Sequence, residues 1–466
     1  MQVSHAPAAV SACFDDANLV SCAGLVPVVE LAQRCGLADL VADTLTLRQA
    51  GGVNAWVKVP ALVAGMVAGA DSIADMDLLR HGAMARLFTG VRAPSTLGTF
   101  LRAFSFGHVR QLDAVAATML SRLAERTPLL PAAGVIAFLD IDDTIKATYG
   151  YTKQGAGYGY TGVKGINALL ATLSTPAAAP VIAATRLRKG SANSARGAAR
   201  LVADALVTAA RAGADPSAGS LVIVRADSAY YGHDVIAAAR RHGARFSITA
   251  RQDPAVRRAI VSIPDDAWTP IHYPNAIWDD DHQRLISDAE VAEIAFTAFT
   301  SRAKRQHVHG RLIVRRVRDA NPAHVHVNSQ GELFAAWRHH AVFTDSPMPM
   351  LEAESAHRAH AIIEQVIADL KNGPLAHLPS SSFNANGAWL VLAAIAFNLT
   401  RAAGCLASTF HARAAAATIR RQLISVPARI ARSARRITLH LPTQWPWAHD
   451  WQQLFDTLHE PPATAR

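Results

Sequence analysis

The chain has 466 residues, room for about three domains at roughly 150 residues each, which excludes a small disulfide-stapled module. Half of it is apolar and 18% is charged, and the run Ala388 to Phe397 stops short of the roughly 20 residues that span a bilayer, so no membrane role is expected. Net charge is +10, and 39 of the 46 basic residues are Arg, whose planar fork bridges phosphate oxygens; nucleic acid is the leading partner, although a GC-rich coding sequence also enriches Arg.

The first residues lack a basic start and carry Asp15 and Asp16 where a signal peptide is apolar, which points to the cytoplasm. Cys13, Cys22, Cys35 and Cys405 fit neither a zinc site nor a disulfide framework and read as buried thiols. Residues 1–130 predict a helical N-terminal DNA-binding domain, with apolar residues at three and four spacing in Leu25 to Leu40, Ala61 to Met66 and Val109 to Leu123. Ser95 and Thr96, after Pro94, read as the cap of an amphipathic helix, the start of a helix-turn-helix or of an ordinary helix.

From Gly134 the pattern turns to α/β across residues 131–252. Gly134 to Asp142 is apolar on both faces, as a central strand is, and ends in Asp140, Asp142 and Asp143. A Gly/Tyr-rich ribbon (149–165), two strand-like runs and a helix (195–212) follow, then a second apolar strand, Leu221 to Ala226, ending at Asp227. Residues 253–340 read as an inserted, mostly β subdomain, and 341–400 as a strand and a long helix (351–372). Residues 401–466 read as a basic region, helical to about 436, with no acid between 411 and 440.

Acids inside apolar segments are costly unless paired, hydrogen-bonded or metal-bound. Asp140 and Asp142 share one face of their strand and Asp143 takes the other. On a continuous helix, His357, His360, Glu364 and Lys371 form one polar stripe beside apolar Ile363, Val366, Ile367 and Leu370; a solvated helix face is the plainer reading of that stripe. Oxygen-only ligands on two strand ends and a helix suit Mg²⁺, or Mn²⁺ in its place, and two such ions about 3.5–4 Å apart suit phosphoryl transfer.

The order strand-Asp, ribbon, helix, strand-Asp, insertion, helix-Glu resembles the RNase H-like core of DDE transposases. Leu139-Asp-Ile-Asp142-Asp-Thr144, the Tyr149 to Gly165 ribbon, Arg225-Ala-Asp227-Ser-Ala-Tyr-Tyr-Gly and His360-Ala-Ile-Ile-Glu364-Gln resemble in particular the bacterial insertion-sequence transposases of family 1380. The resemblance implies an α/β RNase H-like catalytic core with an inserted mostly β subdomain, a helical N-terminal domain before it and a basic helical C-terminal region after it. It also implies metal ligands at Asp142, Asp227 and Glu364, with Asp140 as the fallback for the first, and a signature lysine at Lys371. The partners it implies are double-stranded DNA, as terminal inverted repeats and target DNA, and a second copy of the chain in a homodimer. The family's Tyr and Arg positions fall on His357 and His360, with Arg358 out of phase.

Further DNA contacts are expected at Lys153 and Lys164 flanking the ribbon, at Arg186, Arg188 and Lys189 before a helix start, and at Arg420, Arg421, Arg435 and Arg436. The ribbon is equally readable as a plain hairpin. Trp268, Trp278 or Trp337 is either core or a platform for an unpaired base. Two rivals remain: a haloacid-dehalogenase-like phosphatase with Asp140 as nucleophile and Asp142 as general acid, and a transposase-derived DNA-binding protein without catalysis.

Overall fold

Acids, arginines and apolar runs are arranged around one sheet in the computed structural model, which describes residues 10–48, 50–149, 153–159, 161–271, 278–280, 283–285, 289–318, 326–327, 333–334, 337–434 and 436–459. The apolar run after Gly134 forms β1 (Ile136–Ala147), and β2 (Lys164–Thr175) and β3 (Ala178–Lys189) follow antiparallel on one side of it. β4 (Leu221–Ala226) and β5 (Arg245–Thr249) add in parallel on the other side. The spatial order β3-β2-β1-β4-β5 fits an RNase H-like domain. β1 runs past the expected end at Asp142, so its acids lie within the strand, beside the point where parallel pairing with β4 stops at Ile141↔Ala226. Ligands in open α/β sheets bind outside the carboxyl ends of such strands.

In the segment expected to be an inserted β subdomain, the long described strands join the central sheet, and only the short pairs Trp278–Asp279 with Arg284–Leu285 and His326–Val327 with Leu333–Phe334 stand apart from it among the described residues. β6 (Ala289–Ala298), β7 (Val308–Arg318) and β8 (Trp337–Thr344) are antiparallel, and β8 pairs with β5, so they continue the central sheet to ten strands. The period-2 pattern marks strands but not their neighbours, which is why the sequence suggested an independent unit.

The N-terminal helices Leu25–Arg34, Leu37–Thr44, Ala55–Ala68, Pro94–Arg102 and Phe106–Arg126 appear where periodicity placed them. Gly36, at φ 67, separates the first two, a conformation that suits a residue without Cβ. Ser95 and Thr96 lie inside the first turn of their helix, after Pro94 at its start, and make no cap. These helices and the central sheet share one continuous apolar cluster.

The Phe383–Ala407 helix runs through that cluster, packed against Phe106–Arg126, Ala55–Ala68 and β3. It is the one described helix long and apolar enough to cross a membrane, and it is almost wholly buried by protein. Asn398, 3% exposed, supplies its specific tie: its amide accepts from the Ile182 N–H and donates to the Ile182 carbonyl, both at 2.8 Å, where a bulge in β3 interrupts pairing with β2.

Two further expectations are corrected. The helix over 351–372 is two helices, Met350–Arg358 and Ile362–Lys371, joined by a tight 3₁₀ turn at Ala359–Ala361 that breaks the phase of the expected stripe. The region read as helical to 436 instead turns at Arg420–Ile424 and becomes a β-hairpin, β9 (Ala428–Ser433) and β10 (Arg436–His440), with β9 paired to the short strand Leu19–Val20.

His357 fastens the first of these helices to the sheet. Its ring is buried, with Nδ1 3.0 Å from Ser247 Oγ and Nε2 2.9 Å from Thr249 Oγ1, both on β5. Burial, with the positive charges of His360 and Arg225 nearby, pushes its pKa down to about 3.

Two predictions follow from these ties. Asn398→Leu strands a buried N–H and a buried carbonyl, so chemical denaturation should show a loss of about 3 kcal/mol of stability; a loss under about 0.5 kcal/mol would remove the helix-to-bulge tie from the account. Below a pH of about 6.5 the unfolded chain binds a proton at His357 that the folded chain refuses until about 3, so stability falls as pH drops through that window. His357→Asn should reduce this slope by up to about 1.4 kcal/mol per pH unit, and equal slopes in the two proteins would contradict the assignment.

Candidate active site

An Arg within the apolar strand β4 must meet a carboxylate, since an unpaired charge there is untenable. Arg225, 2% exposed, meets Asp140, 0% exposed, across the β1–β4 pair, with Nε to Oδ1 at 2.6 Å and Nη2 to Oδ2 at 2.7 Å. His360 Nδ1 lies 3.1 Å from the same Oδ1, and Arg225 Nη1 donates to the Ala356 carbonyl. The pair thus clamps both strands to the turn between the two helices. Burial pushes the Asp140 carboxyl up, but the Arg225 and His360 charges outweigh it and hold the group below the usual carboxylate range. With both oxygens engaged and no exposure, Asp140 is unsuited to be a nucleophile, and the phosphatase reading loses its first residue. The same burial disfavours Asp140 as the fallback metal ligand.

Asp142, next on that face, is only partly buried. Burial raises its pKa to about 6; the Asp143 N–H, 2.7 Å from Oδ1, and His360 pull down, while the charges of Asp227 and Asp143 push further up. Asp227, the first residue after β4, is exposed, and its Oδ1 accepts from the Ala229 N–H at 2.9 Å as the cap of the turn Ser228–Tyr230. Asp143 is structural: Arg188 Nη2 reaches Oδ2 at 2.7 Å, Asn167 donates to the same oxygen, and the Tyr230 hydroxyl reaches Oδ1 at 3.1 Å. Burial, and the charges of Asp143 and Asp142, raise the Tyr230 phenol, which keeps it a proton donor.

Glu364 is exposed in the first turn of Ile362–Lys371, and Lys371 is exposed in its last. Asp142 and Asp227 form a pair of repelling, oxygen-only donors, a chemistry that fits a hard divalent cation. Among the described residues, no three His, Cys, Asp or Glu side chains are gathered into a ready metal cage. A hollow of about 410 Å³ between the helices Leu25–Arg34 and Ala55–Ala68 has a mostly apolar lining without an acid, and it is not this site.

Several of the residues expected to contact DNA have partners within the chain. Arg188, 7% exposed, also donates to the carbonyls of Ser194 at 2.8 Å and Arg196 at 2.6 Å, so it holds its own loop rather than a phosphate. Arg186 pairs with Asp204 at 2.8 Å and Arg358 with Glu354 at 2.8 Å. Lys153 Nζ donates to the Leu378 carbonyl, and Lys164 lies in the sheet opposite Tyr158. His357 is buried and His360 Nδ1 lies 3.1 Å from Asp140 Oδ1, so both rings are engaged within the chain.

Arg420 is partly buried, with Nε 3.4 Å from the Val67 carbonyl, whereas Lys189, Arg421 and Arg436 are exposed; Arg435 lies outside the described residues. Trp268 and Trp337 sandwich the Arg316 guanidinium at 4.2 and 4.5 Å, while Trp278 is 51% exposed. Cys13 is exposed, unlike the buried Cys22 and Cys35. Sequence reasoning missed Arg225 and Tyr230; the signal for the first was an Arg among Leu221-Val-Ile-Val, two residues before Asp227.

The chain matches no curated protein. Residues 4–463 match the family model described as transposase DDE domain group 1, which covers nearly the whole chain. The large mixed sheet of an α/β fold agrees with that match: the chain belongs to the DDE transposase domain family, group 1, whose members act on DNA and generally use divalent metal ions.

Proposed function

We propose that this chain is the transposase of an insertion sequence of the family 1380 kind, acting in the cytoplasm as a homodimer. It binds the terminal inverted repeats, cuts phosphodiester bonds at the transposon ends and joins the freed 3′-hydroxyl to target DNA. The observation that carries the reading is that Asp142 and Asp227 each come directly after the last β1–β4 pair, Ile141↔Ala226; burial first, and then the Asp227 charge, lift the Asp142 carboxyl to about 6. A chain gains nothing in stability from two unneutralised acids held side by side, so the arrangement reads as functional.

Asp142, Asp227 and Glu364 are the residues that would hold two Mg²⁺ ions, with Mn²⁺ able to substitute. Bound there, such ions supply activation of an attacking oxygen and stabilisation of a leaving one. The chain's own part is positional. The Asp140–Arg225 pair fixes the two strands, the turn docked on it through His360 sets where the Glu364 helix begins, and Lys371 offers a cation to a phosphate at the far end of that helix. The exposed arginines of the C-terminal region supply charge for DNA.

Nicking of a supercoiled plasmid tests the assignment. Asp142→Asn, Asp227→Asn and Glu364→Gln should each lower metal-dependent nicking by at least about two orders of magnitude, the scale of losing one contact to developing charge. DNA binding measured without metal should persist in all three. Wild-type nicking by any one of them would remove that residue from the site.

A further inference from the structure

The hairpin of β9 and β10 is supported at its root and projects from there. At its root Arg429 pairs with Asp16 at 3.2 Å, the Ile430 N–H donates to the Asn18 carbonyl at 2.9 Å, and Ile430 with its partner Leu439 packs on the core. Beyond that pair its described residues are uncovered. Ala431, Arg432 and Ser433 on β9, and Thr438, Ile437 and Arg436 opposite them, are exposed on both faces of the ribbon. Three residues per strand carry it about 10 Å past its support.

Its charge has one sign. The sequence holds no Asp or Glu from residue 370 to 449 and nine Lys or Arg over the same stretch. Charges on an edge strand guard against unwanted pairing, and that accounts for basic residues on β10. It does not account for a ribbon that leaves the body, nor for Ile437, 41% exposed, at its end.

We propose that this hairpin is a DNA-reading element that inserts into the major groove of the duplex. The groove is about 12 Å wide and about 8.5 Å deep, which admits a two-stranded ribbon, and the free length of this one matches the depth. Arg432 and Arg436 meet base edges or the flanking phosphates, and Ile437 and Thr438 offer methyl groups of the kind that contact thymine. The inference rests on the transposase reading for its partner and adds where, and by which groove, the duplex is held.

The test uses the full chain and two duplexes of one mixed sequence, each about three helical turns long. In one, every cytosine carries a glucosylated 5-hydroxymethyl group, which fills the major groove and leaves phosphates and minor groove unaltered. Wild-type protein should bind the plain duplex at least about tenfold more tightly, the scale of one lost base contact. The triple variant Arg432→Ser, Arg436→Ser, Ile437→Ser should bind both alike, with an unchanged circular dichroism spectrum. If that variant does not fold, Arg436→Ser alone should narrow the ratio. Equal wild-type affinities, or a ratio untouched by the substitutions, overturn the ribbon proposal while metal-dependent nicking leaves the transposase reading standing. Wild-type protein that binds neither duplex overturns both.

Discussion

The site depends on one buried ion pair. Asp140 and Arg225 are both removed from water, and a charge in either place alone would cost several kcal/mol, so the pair forces β1 and β4 into the single register that joins them. That register sets Asp142 one step beyond the end of β4 and Asp227 at its exit. His360, on the turn before the Glu364 helix, adds itself to the same carboxylate. A wholly buried residue therefore fixes the relative places of the three acids proposed to hold the metal. Asp143, on the opposite face, repeats the device with Arg188, Asn167 and Tyr230.

How much of this was legible follows from what is local. An acid inside an apolar strand is conspicuous in the sequence because its cost is local, and Asp140, Asp142, Asp143 and Asp227 were all visible on that ground. Which of them faces solvent was not, because that turns on a partner 85 residues away at Arg225. Sheet membership was hidden for the same reason: β8 joins β5 through pairs such as Phe343↔Ile248, which no periodicity encodes. The C-terminal hairpin failed differently. Its alternation is short and rich in Ala and Arg, both good helix formers, and only pairing with Leu19–Val20 decides for strand.

The charge total changes meaning once the arginines are placed. Arg188, Arg225 and Arg401 are buried, and each donates to carbonyls or a carboxylate of its own chain; Arg401 holds the Ala412 and Ala414 carbonyls. Arg suits this work because its fork serves several acceptors at once. A net charge of +10 thus overstates the basic residues available to DNA, and the exposed ones count for more by position than by number.

Precision at the acids also reaches back to the long apolar helix. Arg188 can hold Asp143 only if β3 keeps its place at the sheet edge, and β3 carries a bulge at Ala183, next to Ile182, whose N–H and carbonyl both turn to Asn398. Asn398 satisfies both from the Phe383–Ala407 helix, and that helix in turn packs on Phe106–Arg126 and Ala55–Ala68. The N-terminal helices and the acid-bearing strand are therefore linked through two polar ties, Asn398 and Arg188, each buried and fully engaged. A third link runs beside them, from Arg110 on Phe106–Arg126 through Asp204 to Arg186 on β3, so movement of the helical layer meets several ties before it reaches Asp143. The Glu364 helix is held by other means: Ile363, Val366 and Leu370 are sunk in the core, Asp369 accepts from the Ala416 N–H, and His360 ties the turn before it to Asp140.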